Sequence, residues 1–214
     1  MKITAMTFVL ALMGACLAAP TRADSVARAA ELLPLPLDWY PESLAVSERG
    51  VFYVGSWRQG AVARIKPGAT QSEILVPPGS NGLANGQGML VDSARHLLWV
   101  CSGTMGFTTV PTTPSALKSY DLESGAPRGS YALPEAGYCN DLAQDKRGTL
   151  YITDSLHPRI LRFDGASGKL VIWKESPAFG TGDQYFLNGI AIDAAAHVRE
   201  SGDGKTVSFT ATHR

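Results

Sequence analysis

Several things are scarce in this chain, and each scarcity narrows its class. Net charge is the first: 19 Lys and Arg face 19 Asp and Glu across 214 residues, which gives no basis for a nucleic-acid binder. Long apolar runs are the second. The single candidate, inside residues 1–23, is short for a membrane span and is followed by Pro20. Apolar residues at a 3.6-residue spacing are missing as well, which sets aside helical repeats. No G-x-S-x-G elbow occurs, so an acyl-serine mechanism has no support. The "GDGKT" at 202–206 lacks the leading Gly of a phosphate loop and follows no predicted strand. Cysteine is scarce too, at three residues.

Glycine and proline are plentiful. Twenty-two Gly and 13 Pro are spread along the chain, which favours many short elements joined by turns and hence β structure. Residues 1–23 read as a secretory signal, with Lys2 as the positive region, "ITAMTFVLALMGACLAA" as the apolar run and "TRA" as the small-residue cleavage site before Asp24. A lipoprotein signal with Cys16 as the lipidated residue is the alternative, to which Met13 and Gly14 fit poorly. Either reading predicts a periplasmic or secreted protein. Without Lys2 and Arg22 the mature chain carries −2. It also keeps only Cys101 and Cys139, as two buried thiols or, in an oxidising compartment, as one disulfide.

One phrase recurs. "PESLAVSERGVFYVGS" (41–56), "GQGMLVDSARHLLWVCS" (86–102) and "CNDLAQDKRGTLYITDS" (139–155) align on Leu44, Met89 and Leu142, and "LNGIAID" adds Ile190. Each of the first three copies predicts an inner strand, a turn, and a second strand ("VFYV", "LLWV", "TLYI"). A third strand ("AVARI", "LKSYD", "RILRF") and a fourth ("SEILV", "GSYAL", "KLVIW") follow. Four strands per unit at a period of about 45–50 residues describe β-propeller blades, and leucine-rich repeats are too short for that period. The expected fold is therefore all-β, a six-bladed type of propeller with about three and a half blades present. Residues 24–40 form a lead-in, 41–198 the blades, and 199–214 an aberrant tail without blade pattern. A truncated or frameshifted copy of a six-bladed protein is expected, with ring closure by dimerisation as the alternative and the oligomeric state left open.

In such a ring the residue before each inner strand sits at the channel mouth, which places Glu42, Gln87, Asn140 and Asn188 together. Converging carboxylate and amide oxygens suit a hard cation, calcium rather than zinc. Asn or Asp before a strand also caps turns without any ligand. Asp154 and His157, in "DSLHPR", end a second strand near the same face. Trp57 and Arg58, in "SWRQG", and the long loop 103–116 lie there as well. Cys101 and Cys139 both fall toward that face, within reach of one another if their Cα atoms are less than about 7 Å apart.

The motifs "PESLAV…YVGS", "CNDLAQD…GTLYITDS" and "LNGIAID" resemble the six-bladed calcium-dependent superfamily of senescence-marker-protein/gluconolactonase, paraoxonase and strictosidine synthase-like proteins. The resemblance spans residues 41–193. It implies Glu42, Asn140 and Asn188 as calcium ligands, with Asp141 supporting Asn140. It further implies lactone or ester hydrolysis, in which a carboxylate or His activates water. Asp154 and His157 are the candidates for that step, and Gln87, Trp57 and Arg58 for substrate contact. Gln87 departs from the pattern, because paraoxonases carry a catalytic His at this inner strand and an amide is no base near neutral pH. A non-catalytic binding propeller for a small molecule or a protein is the competing expectation.

Overall fold

The computed structural model describes residues 32–180, 187–193, 197–202 and 205–210. The expected leader, with Cys16, and the start of the lead-in lie outside the described residues. The described residues from Leu33 onward belong to one compact unit. Among the described residues the regular elements are antiparallel strands and three short 3-10 turns, and no helix is long and apolar enough to cross a membrane.

Each copy of the phrase opens one sheet. The first sheet runs β1 (Pro41–Val46), β2 (Phe52–Ser56), β3 (Ala61–Ile65) and β4 (Glu73–Val76), paired in chain order. The second holds β5 (Asn85–Asp92), β6 (Leu97–Gly103), β7 (Ala116–Asp121) and β8 (Pro127–Ala132). The third holds β9 (Cys139–Gln144), β10 (Leu150–Asp154), β11 (Arg159–Asp164) and β12 (Lys169–Glu175). Turn chemistry fixes the hairpins. Gly50 (φ 74°) and Gly148 (φ 82°) take the left-handed conformation that closes the β1–β2 and β9–β10 turns, where their N–H groups donate to Ser47 and Asp145 carbonyls at 2.9 Å.

The last sheet corrects the expected tail. β13 (Ile190–Ile192), β14 (His197–Gly202) and β15 (Lys205–Thr210) pair in order, so the stretch from 199 onward supplies β15 and the latter part of β14. Their sequences carry little signal: "KTVSFT" alternates over Val207 and Phe209, whereas "VRES" has one apolar residue and no alternation.

The core lies between sheets. Ala45, Tyr53 and Val62 of the first pack on Met89, Leu98 and Val100 of the second. Trp99 and Leu117 pack on Leu142, Leu150 and Leu161 of the third. Ala143, Tyr151 and Ile160 pack on Ile190 and Val198 of the fourth. Tyr53, Trp99 and Tyr151 fill the same position in successive sheets and are each almost fully buried, at about 1.5–3 kcal/mol of hydrophobic stabilisation per large side chain. On the outer face of the first sheet, Val54, Ala63 and Ile65 are covered by Leu33, Leu35 and Trp39 of the lead-in. Successive inner strands β1, β5, β9 and β13 are neighbours, which brings their starts to one place.

Candidate metal centre and its surroundings

Each of the first three inner strands breaks register at the same point. Pro41 faces Ser56 but Leu44 faces Val54; Gly86 faces Ser102 but Met89 faces Val100; Cys139 faces Asp154 but Leu142 faces Ile152. Two residues therefore oppose one, a β-bulge, which bends the strand and re-aims its side chains. The doubled pairs are Glu42–Ser43, Gln87–Gly88 and Asn140–Asp141; in the fourth sheet the equivalent pair, Asn188–Gly189, precedes β13. Glu42, Gln87 and Asn140 thus lie inside their strands, at bulges, and not just before them as the sequence pattern implied.

Glu42, Ser43, Gly88, Asn140, Asp141 and Asn188 line one cavity of about 120 Å³. That space holds a single ion with a few waters. Gly88 makes the close approach of β5 and β9 feasible, because a Cβ there would lie 2.2 Å from Asp141 Oδ1 and 2.6 Å from its Cα. Asp141 ties the third sheet to the fourth: its Oδ1 accepts from Leu142 N–H at 2.8 Å and its Oδ2 from Ile190 N–H at 3.0 Å. Thr153, the residue opposite that bulge, accepts from Asp141 N–H at 3.0 Å and donates to the Asn188 carbonyl at 2.8 Å. Asn188 is set in place by this pair of anchors.

Two carboxylates dominate the electrostatics of the cavity. Glu42 opens onto the channel, yet the surrounding protein raises its pKa to about 7, first through burial and second through the Asp141 charge. Asp141 is raised as well by burial, against the pull of the Ile190 and Leu142 N–H groups. Two carboxylates and two amides, with no Cys or His, form a hard oxygen set. Among the described residues no cluster of three His, Cys, Asp or Glu side chains occurs, and amides make up half of this donor set. The donor set fits calcium.

Gln87 does not line the cavity; it braces Glu42. In the amide orientation that satisfies its neighbours, its oxygen accepts from Tyr138 Oη and Trp57 Nε1, both at 2.8 Å, and its nitrogen donates to Glu42 Oε1 at 3.3 Å. A Cβ at Gly103 would lie 2.3 Å from the Tyr138 hydroxyl, so that glycine leaves room for the contact. Trp57 and Arg58 face a second cavity, of about 290 Å³, which they line with Tyr40 and Phe107.

Asp154 and His157 lie elsewhere. Asp154 is fully buried and accepts from Tyr138 N–H (2.8 Å), Leu156 N–H (3.1 Å) and Arg159 Nε (2.9 Å). His157 Nδ1 lies 3.1 Å from the same carboxylate. Arg159 also reaches Glu135 and the Pro134 carbonyl, both at 2.7 Å. This network locks two loops together, and neither Asp154 nor His157 lines the metal cavity. Cys101 and Cys139 form a disulfide, with Cα atoms 5.1 Å apart, which joins the second strand of one sheet to the inner strand of the next. Tyr138, Ser43, Gly88 and Thr153 went unassigned from sequence. Only Gly88, in "GQGM" at the repeat position, carried a visible signal.

The chain resembles several solved structures. A virginiamycin B lyase from Staphylococcus aureus matches at a TM-score of 0.65 and 15% identity, over 85% of this chain and 59% of that one. A gluconolactonase from Xanthomonas campestris matches at 0.56 and 15%, over 78% and 55%. A structure of a nidogen/laminin complex matches at 0.60 and 17%, over 79% and 59%. The fold is a β-propeller. Its sheets are blades, and the cavity lined by Glu42, Asn140 and Asn188 sits where the inner strands of blades one to four meet. This chain spans 59% or less of the length of these three matched chains. No family model matches it, and no curated protein does.

Proposed function

We propose that this protein is an exported calcium-binding propeller that hydrolyses a lactone or ester at the channel mouth. One observation carries the reading: Glu42, Asn140, Asp141 and Asn188, from three blades, converge on one small cavity in which burial and like charge disfavour ionised Glu42. The gluconolactonase among the similar structures supports the reaction type, hydrolysis of a lactone. The leader at 1–23 and the Cys101–Cys139 bridge support export, since disulfides persist in oxidising compartments.

Glu42, Asn140 and Asn188 would hold the cation, with Asp141 fixing the approach of blade four. Bound there, calcium supplies Lewis acidity to a substrate carbonyl. Gln87 orients Glu42 through its amide N–H and moves no proton itself. Asp154 and His157 keep their loops in register and are assigned no proton transfer here. A second reading, a propeller that binds a small molecule without turning it over, is favoured by Gln87, because the residue touching Glu42 cannot serve as a base.

Calcium titration with thermal unfolding and a lactone-hydrolysis assay on the same sample tests both. Saturating calcium at about a hundredfold over its Kd is expected to add about 2.7 kcal/mol of stability, and hydrolysis is expected to vanish with chelator. A calcium-stabilised protein without turnover selects the binding reading. Indifference to calcium removes both.

A further inference from the structure

The cavity beside the metal site is built unlike its surroundings. Tyr40, Trp57 and Phe107 supply aromatic walls, and Arg58 is the one charged residue in the lining. That charge is already neutralised. Arg58 Nε donates to Asp38 Oδ2, and Nη1 donates to the Phe107 carbonyl at 2.9 Å. The Trp57 and Phe107 rings lie 6.2 Å apart at 29°. Tyr40 and Phe107 are nonetheless 60% and 76% exposed, far more than aromatic residues that serve only packing.

The backbone holds those rings outward at a cost. Asp38 (φ 59°), Tyr40 (φ 47°) and Phe107 (φ 53°) are three of seven non-glycine residues with positive φ among the described residues. Bulky side chains rarely adopt that conformation, and such strain concentrates at ligand clamps. The two loops that supply the walls are pinned to each other. Asn85, wholly buried, donates to the Trp57 and Gly106 carbonyls and accepts from Met105 N–H at 3.1 Å. Thr109 N–H donates to the Arg58 carbonyl at 2.9 Å. The clamp is therefore preformed.

Its position gives it an occupant. Trp57 Nε1 reaches Gln87 Oε1, whose amide nitrogen reaches Glu42, so the aromatic wall stands two hydrogen bonds from the cation ligands. We infer that this clamp binds the uncharged aryl or alkyl portion of the substrate while its carbonyl faces the metal cavity; the assignment of a reacting carbonyl rests on the proposed hydrolase reading. The class is then an apolar ester or lactone and not a polyhydroxylated one. A sugar would find no side-chain amide or carboxylate in this lining to select its hydroxyls, and a free carboxylate would find Arg58 already paired. The volume agrees: an apolar cavity of about 150 Å³ takes benzene, so about 290 Å³ admits one substituted ring or a short chain.

Ligand-observed NMR titration of the full mature chain tests this with acetophenone, an uncharged aryl ketone without a leaving group, against benzoate and glucose. Acetophenone is expected to bind in the millimolar range, about tenfold more tightly than either competitor. Phe107→Ala and Tyr40→Ala, both truncations of exposed rings, are each expected to weaken it about tenfold while leaving the melting temperature and the calcium response unchanged. Glu42→Gln is expected to abolish the calcium response and retain acetophenone binding. Binding of acetophenone no tighter than benzoate or glucose, or unaffected by both truncations, overturns the clamp. Clamp binding that survives in a protein without lactone turnover removes the hydrolase reading alone.

Discussion

Glu42 carries the most consequence of any single residue. Its folded pKa, about 7, lies above that of an unfolded Glu, so the folded state holds the extra proton between about pH 4.5 and 7. Stability of the calcium-free protein is therefore expected to fall as pH rises through that window. Calcium should flatten the slope, and so should Glu42→Gln; melting temperatures across pH 4–8 with chelator or calcium check both. Gly88→Ala is expected to push β5 and β9 apart, because the added methyl meets Asp141 backbone and carboxylate at under 3 Å. Overpacking of this kind costs about 1–3 kcal/mol, and loss of the calcium response alongside the lowered melting temperature would mark the site as the place of strain. Glu42, Asn140 and Asn188 each occupy one slot of a repeat, and the fold brings the three to one cavity. The brace from Tyr138 through Gln87 was not legible in the sequence, since it joins residues of adjacent blades that no spacing relates. Asp154 was read for chemistry because a carboxylate beside a histidine looks reactive in one dimension. Its partnership with Arg159, on the next strand, is what three dimensions add.

Elements carry a different kind of information. The first twelve strands were legible because short apolar segments recur between turns at a spacing of about 50 residues. The bulges were not, since a two-against-one pairing leaves no mark on composition. β14 and β15 leave a weak trace because they hold few apolar residues and so little hydrophobic contrast. Two predictions belong to this scale. Asp154→Ala removes one partner of a buried ion pair and is expected to destabilise the protein by about 3–5 kcal/mol, read by denaturant unfolding; an unchanged midpoint with lost turnover would return Asp154 to the chemistry. Reducing the Cys101–Cys139 bridge, which closes a 38-residue separation, is expected to cost about 2–4 kcal/mol, measured by unfolding with and without reductant.

At the scale of the whole molecule, blade one has two unlike faces. Ala45 and Tyr53 are buried against blade two, whereas Leu44, Val46 and Phe52 point the other way and are 59%, 49% and 38% exposed. An apolar strip of this kind on a sheet face promotes association. The protein is expected to show a concentration-dependent mass in light scattering, and Val46→Thr with Phe52→Ser is expected to shift it toward the monomer without moving the calcium response. A mass independent of concentration in the parent protein would mean that the strip is not a contact surface.

The cation ligands proposed above come from the first, third and fourth blades, so Glu42 and Asn188 stand at the two ends of the described array. Neither the ligands nor their geometry exist until those blades have docked. Calcium would then arrive after the rate-limiting step of folding, acting as a clasp on a finished assembly. Stopped-flow kinetics should find the refolding rate indifferent to calcium and the unfolding rate slowed by it. A protein whose lifetime depends on a late clasp is long-lived where calcium is abundant and short-lived where it is withdrawn.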